Sequence, residues 1–281
     1  MTSNQSSAIA AFRQLHESGC FVLPNPWDRG TARYLSHIGF KALATTSAGF
    51  AFSRGLPDSV TAMPVDEVLD HVRDICESTS LPVNADFQNG YADEPENVAA
   101  NVKRCIECGV AGLSIEDSTG RRESPLYDDR LAVERVRAAR KVIDDSNLPV
   151  VLTARCEAFL TGHPLAFTVA MDRLVAFADA GADCLYAPGV RQPEQIEAIV
   201  QAVAPKPVNV LVGSPGLTVP QLADLGVRRV SVGSALSRAA WGAFMRAAQE
   251  INASGTFNSF ADAGGFADLN QVFAQFVGGN R

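Results

Sequence analysis

The feature that most constrains the fold of this chain is an eightfold alternation of short apolar segments with longer amphipathic ones. The short segments are apolar throughout and do not alternate with polar residues, which is typical of parallel strands buried on both faces. We therefore predict strands at 20–24, 42–47, 82–87, 112–117, 149–155, 184–187, 207–212 and 229–233.

The segments between these strands are predicted to be helices. Residues 94–108 and 128–143 each place their apolar side chains on one stripe, as an amphipathic helix does. Four glycines just before a strand suit the left-handed residue that ends many helices: Gly39, Gly109, Gly181 and Gly226. No Pro-, Gly- or Ser-rich linker interrupts the pattern, so we expect 1–281 to form one domain.

Eight strand–helix units in 281 residues predict an α/β fold, namely a closed (β/α)8 barrel of the TIM type. An open, doubly wound sheet is the competing architecture. The absence of a GxGxxG motif after the first strand disfavours its dinucleotide-binding version. Beyond the last strand we predict helices at 236–251 and 269–276, with 253–281 as a C-terminal extension rich in Phe.

The composition excludes several kinds of partner. The chain has 24 Lys and Arg against 31 Asp and Glu, a net charge of −7 that argues against nucleic acid or an anionic membrane surface. No apolar run reaches the ~20 residues of a membrane helix, and 1–10 lacks the pattern of a signal peptide. Six scattered cysteines do not form a disulfide scaffold. We therefore expect a cytoplasmic protein that acts on a small molecule.

Polar residues at the strand ends predict an active site. In a barrel that site lies at the carboxyl ends of the strands, and Asp86, Glu116 and Arg155 reach this level from three successive strands. Converging carboxylates repel one another unless a cation lies between them, and oxygen donors without clustered His or Cys suit Mg2+ or Mn2+. None of the four lysines follows a strand, which disfavours an aldolase that uses a Schiff-base lysine.

Short motifs follow one another along most of the chain: Pro24-Asn-Pro-Trp-Asp28, Thr46-Ser-Ala-Gly49, Gly55-Leu-Pro-Asp58, Ala85-Asp-Phe-Gln-Asn-Gly-Tyr91, Ser114-Ile-Glu-Asp117, Ala154-Arg155 and Ala180-Gly-Ala-Asp183. Their order, from about Pro24 to Trp241, resembles that of the isocitrate lyase/phosphoenolpyruvate mutase superfamily. The resemblance implies a (β/α)8 barrel whose last helix is exchanged between the subunits of a homodimer or homotetramer. It also implies Mg2+ and a small 2-oxo or 2-hydroxy carboxylate as substrate.

The resemblance implies which residues bind the substrate. Ser47, Ala48 and Gly49 are similar to a loop that binds a carboxylate through backbone N–H groups. Arg155 is similar to the cation that holds the substrate's oxygen atoms. Asn209 is retained as a further binding residue, although the threonine that the superfamily has nearby is absent.

The resemblance also implies a metal shell formed by Asp58, Asp86 and Glu116. Gln88 stands where the superfamily has the second acid of an Asp-x-Asp motif. It keeps an oxygen atom but loses a charge, which should weaken metal binding. Asp58, Glu116 and Arg155 are the predicted catalytic residues, because metal and arginine together would stabilise a pyruvate-like enolate.

The loop after the fourth strand departs from the lyases of the superfamily. It reads Ser118-Thr-Gly-Arg-Arg122 and lacks the signature Lys-Cys-Gly-His. The cysteine that acts as the protonating acid in isocitrate-type lyases is therefore missing, which disfavours cleavage of isocitrate or methylisocitrate. Arg121 and Arg122 are predicted to close over a second anionic group of the substrate, with the loop acting as a lid.

These residues predict a Mg2+-dependent carbon–carbon lyase or decarboxylase of a small oxo-dicarboxylate, with an oxaloacetate-like substrate favoured. Two alternatives stay open. A phosphonomutase acting on a C–P bond would use the same metal and arginine. A degenerate barrel, in which Gln88 has cost the metal site its function, would bind a carboxylate without turning it over.

Overall fold

The computed structural model describes residues 3–277, so the predictions for 1–2 and 278–281 lie outside the described residues. Eight parallel strands form one sheet: β1 Phe21–Leu23, β2 Leu43–Ala44, β3 Val83–Asp86, β4 Gly112–Glu116, β5 Val151–Arg155, β6 Cys184–Tyr186, β7 Val208–Leu211 and β8 Arg229–Ser231. Their order is β1-β8-β7-β6-β5-β4-β3-β2. The N–H of Ala44 donates to the carbonyl of Pro24 at 3.0 Å and links the two end strands. The predicted (β/α)8 TIM-type barrel is confirmed, and the open doubly wound alternative is wrong.

Helices follow the strands around the outside of the barrel. Within the described range they are α1 Ser3–Leu15, α2 Arg29–His37, α3 Ser47–Ser53, α4 Val65–Ser78, α5 Pro95–Glu107, α6 Asp129–Asp145, α7 Ala166–Asp179, α8 Pro193–Val203, α9 Val219–Asp224, α10 Ala235–Ser254 and α11 Phe266–Ala274, with a 3-10 turn at Asn258–Asp262. The predicted helices 94–108 and 128–143 correspond to α5 and α6, whose stripes bury Val102 and Val136. Within residues 3–277, no helix has the length and apolar character needed to cross a bilayer.

Helix α1 closes the N-terminal end of the barrel. Its side chains Ile9 and Phe12 are fully buried. A Cβ added at Gly112, the first residue of β4, would lie 2.6 Å from Cε1 of Phe12, so glycine is needed for this close packing. The opposite end, where the strands finish, is therefore the open end that can hold a site.

The second strand is shorter than predicted. The prediction of a strand to residue 47 is wrong, because pairing ends at Ala44 and α3 begins at Ser47. The side chain of Thr46 accepts a hydrogen bond from the N–H of Gly49 at 3.2 Å and caps the helix. A Cβ added at Gly49 would lie 2.6 Å from Cγ2 of Thr46 and 3.1 Å from Cβ of Trp27, so no larger residue fits.

The C-terminal part of the chain leaves the barrel at α10 and returns to it at α11. Helix α10 continues to Ser254, beyond the predicted end at 251, and Gly255 ends it with a left-handed φ of 64°. Ser237 is the one residue of α10 that is buried within the described chain. Helix α11 starts at Phe266 rather than at the predicted residue 269. The extension contacts α2, where the ring centre of Phe276 lies 5.3 Å from the guanidinium carbon of Arg33. Exchange of the last helix between subunits stays a prediction.

Candidate active site

Arg155 occupies the mouth of the barrel at the end of β5. Its Nη1 lies 3.3 Å from Oδ1 of Asp86 and 3.4 Å from Oε2 of Glu116. Its Nε contacts the carboxylate of Glu157. Strand pairing places Glu116 directly opposite Arg155, which explains why β4 and β5 deliver the two side chains at one level. The structure thus brings Asp86, Glu116 and Arg155 together.

Asp86 connects Arg155 to the start of α3. Its Oδ2 accepts a hydrogen bond from the backbone N–H of Ser47 at 3.0 Å. Ser47, Ala48 and Gly49 form the first turn of α3, where the positive end of the helix dipole favours negative charge. The predicted carboxylate-binding loop is therefore the N-terminus of a helix, and the carboxylate of Asp86 already contacts it.

Asp58 and Gln88 lie beside this group. Nε2 of Gln88 donates to Oδ1 of Asp58 at 3.2 Å, whereas Oε1 of Gln88 is buried and has no hydrogen-bond partner. The φ of Gln88 is 42°, a left-handed conformation that is uncommon outside glycine and is often found at functional sites. A buried oxygen without a partner is costly, so Oε1 of Gln88 is a candidate ligand for a bound group.

The acidic groups of the mouth carry more negative charge than Arg155 balances. Desolvation raises the pKa of Asp58, and the charge on Asp86 raises it further. Burial raises the pKa of Glu116 well above its ordinary value, and Arg155 opposes this shift without cancelling it. Glu157 has its pKa raised by burial in the same way. Burial therefore opposes the charged forms of these carboxyl groups, and a cation placed among them would favour those forms.

This donor set fits a divalent cation. Asp58, Asp86, Glu116 and Gln88 offer oxygen atoms, the donors that Mg2+ and Mn2+ prefer. Within residues 3–277, no three His, Cys, Asp or Glu side chains are placed to ligate one ion together. Mg2+ usually keeps several water molecules and uses one or two carboxylates, so such a site agrees with these residues. A cation would also relieve the repulsion between Asp58 and Asp86.

Asn209 lies deeper in the barrel than the acidic groups. Its Nδ2 donates to Oγ of Ser231 at 2.9 Å, and its Oδ1 accepts from Nε of Arg229 at 2.9 Å. Tyr186, on the strand between β5 and β7, has its ring centre 5.3 Å from the guanidinium carbon of Arg155. It therefore lies between Asn209 and Arg155, and contact of Asn209 with substrate stays a prediction.

Arg121 and Arg122 lie on the loop after β4 and are both exposed. Arg121 forms an ion pair with Asp93 at 2.8 Å, and its guanidinium carbon lies 5.9 Å from the ring centre of Tyr127. A role for either arginine in binding a second anionic group of the substrate stays a prediction.

Glu157 is a further residue of the site that the sequence motifs do not predict. The N–H of Glu157 donates to Oδ1 of Asp117 at 2.7 Å, and Oδ2 of Asp117 pairs with Nη1 of Arg173 at 2.8 Å. This buried chain of contacts fixes Glu157 against Arg155. The two-residue spacing of Arg155 and Glu157 at a strand end is the signal that identifies such a partner, because alternate residues face one side.

The fold and site define a (β/α)8-barrel enzyme with carboxylates and one arginine at the ends of its strands. The model of the family named phosphoenolpyruvate phosphomutase matches residues 12–252. The chain belongs to this family, within the isocitrate lyase/phosphoenolpyruvate mutase superfamily of lyases and mutases. The superfamily predicted from the motifs is confirmed.

Three relatives show how far the similarity extends. The crystal structure of a Burkholderia cenocepacia protein provisionally described as a lyase or mutase has a TM-score of 0.93 and 48% identity, covering 97% of this chain and 98% of that one. Oxaloacetate decarboxylase of Pseudomonas putida is 30% identical over 80% of this chain and 78% of its own. Oxaloacetate acetylhydrolase, in complex with its product oxalate, has a TM-score of 0.85 and 29% identity over 96% of each chain.

Gln88→Asp is expected to tighten Mg2+ binding about 10-fold, because it adds a negative charge beside Asp58. Isothermal titration calorimetry with MgCl2 measures this affinity. Gln88→Asn shortens the side chain equally but adds no charge, so it is the matched control and should not bind more tightly. Unchanged or weaker binding by Gln88→Asp would contradict the placement of Gln88 in the metal shell.

The stability of the protein without a bound metal ion is expected to fall as the pH rises above the ordinary carboxyl pKa of about 4.5 and through the raised folded-state pKa values of Glu116 and Glu157. The folded-state pKa values of Glu116 and Glu157 lie above their unfolded values, so the native state holds protons that the unfolded state has released. Stability is then lost as the pH rises through the folded pKa. Thermal unfolding in EDTA and in MgCl2 should show a Mg2+-induced rise in Tm that grows with pH. A rise independent of pH would refute this electrostatic coupling.

Proposed function

We propose that this protein is a divalent-metal-dependent enzyme that breaks a carbon–carbon bond of a small 2-oxo or 2-hydroxy dicarboxylate, and that it decarboxylates oxaloacetate. The observation that carries the proposal is the placement of Arg155 among Asp86, Glu116 and Glu157 at the barrel mouth. The similarity to an oxaloacetate decarboxylase over 80% of the chain supports this choice of substrate.

The binding residues orient one end of the substrate. The first turn of α3, at Ser47, Ala48 and Gly49, is proposed to hold the carboxylate at C1 through its positive dipole end and the backbone N–H of Ala48, since the N–H groups of Ser47 and Gly49 already bind Asp86 and Thr46. Arg155 donates to the oxygen at C2, where negative charge develops during the reaction. Asp86, which contacts both Ser47 and Arg155, holds these two donors in a fixed relation before the substrate arrives.

Decarboxylation breaks the C3–C4 bond of oxaloacetate, releases CO2 and leaves the electron pair on C3 as the enolate of pyruvate. The charge of Arg155 stabilises the developing oxyanion at C2. A metal ion held by Asp58, Asp86, Glu116 and Gln88 would supply further Lewis-acid stabilisation of that oxygen. One proton then adds to C3, and a water molecule hydrogen-bonded to Asp58 is its proposed source.

This reaction agrees with the departures of the loop after β4. Decarboxylation requires one proton at C3 and no base to remove a hydroxyl proton. The missing Lys-Cys-Gly-His signature should therefore affect decarboxylation of oxaloacetate less than cleavage of an isocitrate-type substrate, in which the absent cysteine would protonate the product.

The test is incubation of the purified protein with Mg2+ and, separately, oxaloacetate, 2-methylisocitrate or phosphonopyruvate, with products followed by 1H and 31P NMR. Oxaloacetate loses CO2 spontaneously, and free Mg2+ accelerates this loss, so the control is the same solution containing the Arg155→Met variant. Faster pyruvate formation by the unsubstituted protein supports the proposal. No acceleration with any of the three compounds would instead indicate a barrel that binds a carboxylate without turning it over.

The phosphonomutase alternative is favoured by the match to the phosphoenolpyruvate phosphomutase family model. Phosphonopyruvate carries a phosphonate where oxaloacetate carries its second carboxylate, so the same Arg155 and metal residues serve either compound. Conversion of the phosphonate 31P resonance to that of a phosphate ester would identify this activity and would exclude the decarboxylase as the main function.

The proposed enzyme is a homodimer or homotetramer. Helix α10 and the extension that follows it expose a set of large apolar side chains: Trp241, Phe244, Met245, Phe257, Phe260 and Phe266. Scattered apolar residues are ordinary on a protein surface, but a set of this size on consecutive elements of the chain is typical of an interface. A second copy of the chain is the proposed partner that covers it.

Phe244→Ser together with Met245→Ser is expected to dissociate the oligomer, because the two side chains are 62% and 51% exposed in the single chain. Light scattering during gel filtration should give a multiple of 29.8 kDa for the unsubstituted protein and a smaller mass for the variant. Leu165→Ser, at a residue that is 63% exposed outside the extension, is the matched control and should leave the mass unchanged. A monomeric unsubstituted protein would overturn the proposed assembly.

A further inference from the structure

The loop between β4 and α6 is a hairpin rather than a loose segment. Ser118 and Leu126 form an antiparallel bridge, and the N–H of Thr119 donates to the carbonyl of Pro125 at 2.9 Å. The N–H of Tyr127 donates to the carbonyl of Asp117 at 3.0 Å. The base of this hairpin, residues 118–126, is therefore fixed directly after Glu116.

One arm of the hairpin packs against the segment that carries Asp58. Gly120 has a φ of 71°, and a Cβ added there would overlap Cγ2 of Val60. Val60 lies two residues after Asp58, in a turn where the N–H of Ala62 donates to the carbonyl of Ser59 at 3.0 Å. The absence of a side chain at Gly120 allows the two segments to touch.

The hairpin is also tied to the loop that carries Gln88. Arg121 pairs with Asp93 at 2.8 Å, and the hydroxyl of Tyr127 donates to the same carboxylate. Nδ2 of Asn89 donates to the hydroxyl of Tyr127 at 3.0 Å. The hairpin thus holds the segments on which Asp58 and Gln88 lie, whose side chains meet at 3.2 Å.

We propose that the hairpin 118–126 is a clamp, in which the contact between Gly120 and Val60 holds the Asp58 segment against the barrel mouth. Gly120 and Val60 are then positioning residues for Asp58. The effect of the clamp on kcat rests on the proposed function, whereas its effect on amide exchange in residues 57–62 does not. This role differs from closing over the substrate, because the clamp acts on a segment of the chain itself.

Gly120→Ala is the direct test. The added methyl group collides with Val60, whose branched side chain has little freedom to rotate away, so the segment 57–62 must shift. We expect about 10-fold faster backbone amide exchange in 57–62, because local opening becomes easier. We also expect about a 10-fold loss in kcat for oxaloacetate with KM nearly unchanged, because Asp58 belongs to the proposed metal shell that acts on the developing charge and does not bind the substrate's carboxylate.

Two further variants separate the clamp from a general loss of stability. Gly19→Ala has the same left-handed φ, 70°, with nothing within 4 Å of the added Cβ, so it carries the backbone strain without the collision and should leave both readouts unchanged. Val60→Ala combined with Gly120→Ala makes room for the added methyl group and should restore slow exchange and most of kcat. Fast exchange in the double variant, or normal exchange in Gly120→Ala, would overturn the clamp. If the unsubstituted protein does not turn over oxaloacetate, the proposed function fails and the exchange measurements still decide the clamp.

Discussion

Arg155→Met is expected to lower kcat/KM for oxaloacetate by about 10²–10³-fold, the loss that follows removal of a preorganised donor to a developing oxyanion. Methionine fills a similar volume but offers neither charge nor N–H groups. Steady-state decarboxylation, corrected for the spontaneous reaction, measures the effect. Arg155→Lys keeps the charge but lacks the planar guanidinium that can bind Asp86, Glu116 and substrate together. Its kcat/KM should therefore lie between that of the unsubstituted protein and that of Arg155→Met.

The same substitution should destabilise the metal-free protein by about 3–5 kcal/mol at neutral pH, because it leaves buried carboxylates without a counter-charge. The loss should shrink in acid, where Glu116 and Glu157 are protonated. Urea unfolding at both pH values measures it. Arg130→Met removes an exposed ion pair with Glu134 and should cost less than about 1 kcal/mol. Full activity of Arg155→Met would contradict the role given to this arginine.

Asp86→Asn is expected to weaken Mg2+ binding by about 100-fold or more and to reduce decarboxylation to near the uncatalysed rate. The substitution keeps the size of the side chain but removes the charge that faces both Ser47 and Arg155. Calorimetry with MgCl2 and the NMR assay measure the two effects separately.

Asp70→Asn is the control for Asp86→Asn, since Asp70 is exposed on α4 and pairs with Arg73 at 2.7 Å. This variant should match the unsubstituted protein in Mg2+ affinity and rate. Mg2+ binding that persists in Asp86→Asn would place the metal elsewhere. Absence of Mg2+ binding in the unsubstituted protein would instead support the degenerate barrel.

The strand cores were predictable because a strand buried on both faces must be apolar throughout, as at Leu113 and Leu152. The end of β2 was not, because Thr45 and Thr46 suit a strand by propensity. The hydrogen bond that the side chain of Thr46 accepts from the N–H of Gly49 decides the boundary, and it depends on the local geometry.

In the candidate site, too, some features were predictable from the sequence and others were not. Asp86, Glu116 and Arg155 were predictable because neighbouring parallel strands end at one level, and each has a charge just there. The contact of Tyr186 with Arg155 and the depth of Asn209 were not, because they depend on the stagger of strands around the barrel. The clamp at Gly120 depends on contact between distant loops, which no local pattern encodes.

The measurement that tests the proposed site most directly is a crystal structure with Mn2+ and oxalate, read from the anomalous signal of manganese. We predict one Mn2+ beside Asp86, with Asp58, Glu116 and Gln88 bound to it directly or through water. Oxalate should lie between the ion and Arg155, with one carboxylate at the start of α3. Manganese bound elsewhere, or oxalate away from Arg155, would contradict the assignment of this mouth as the metal and substrate site.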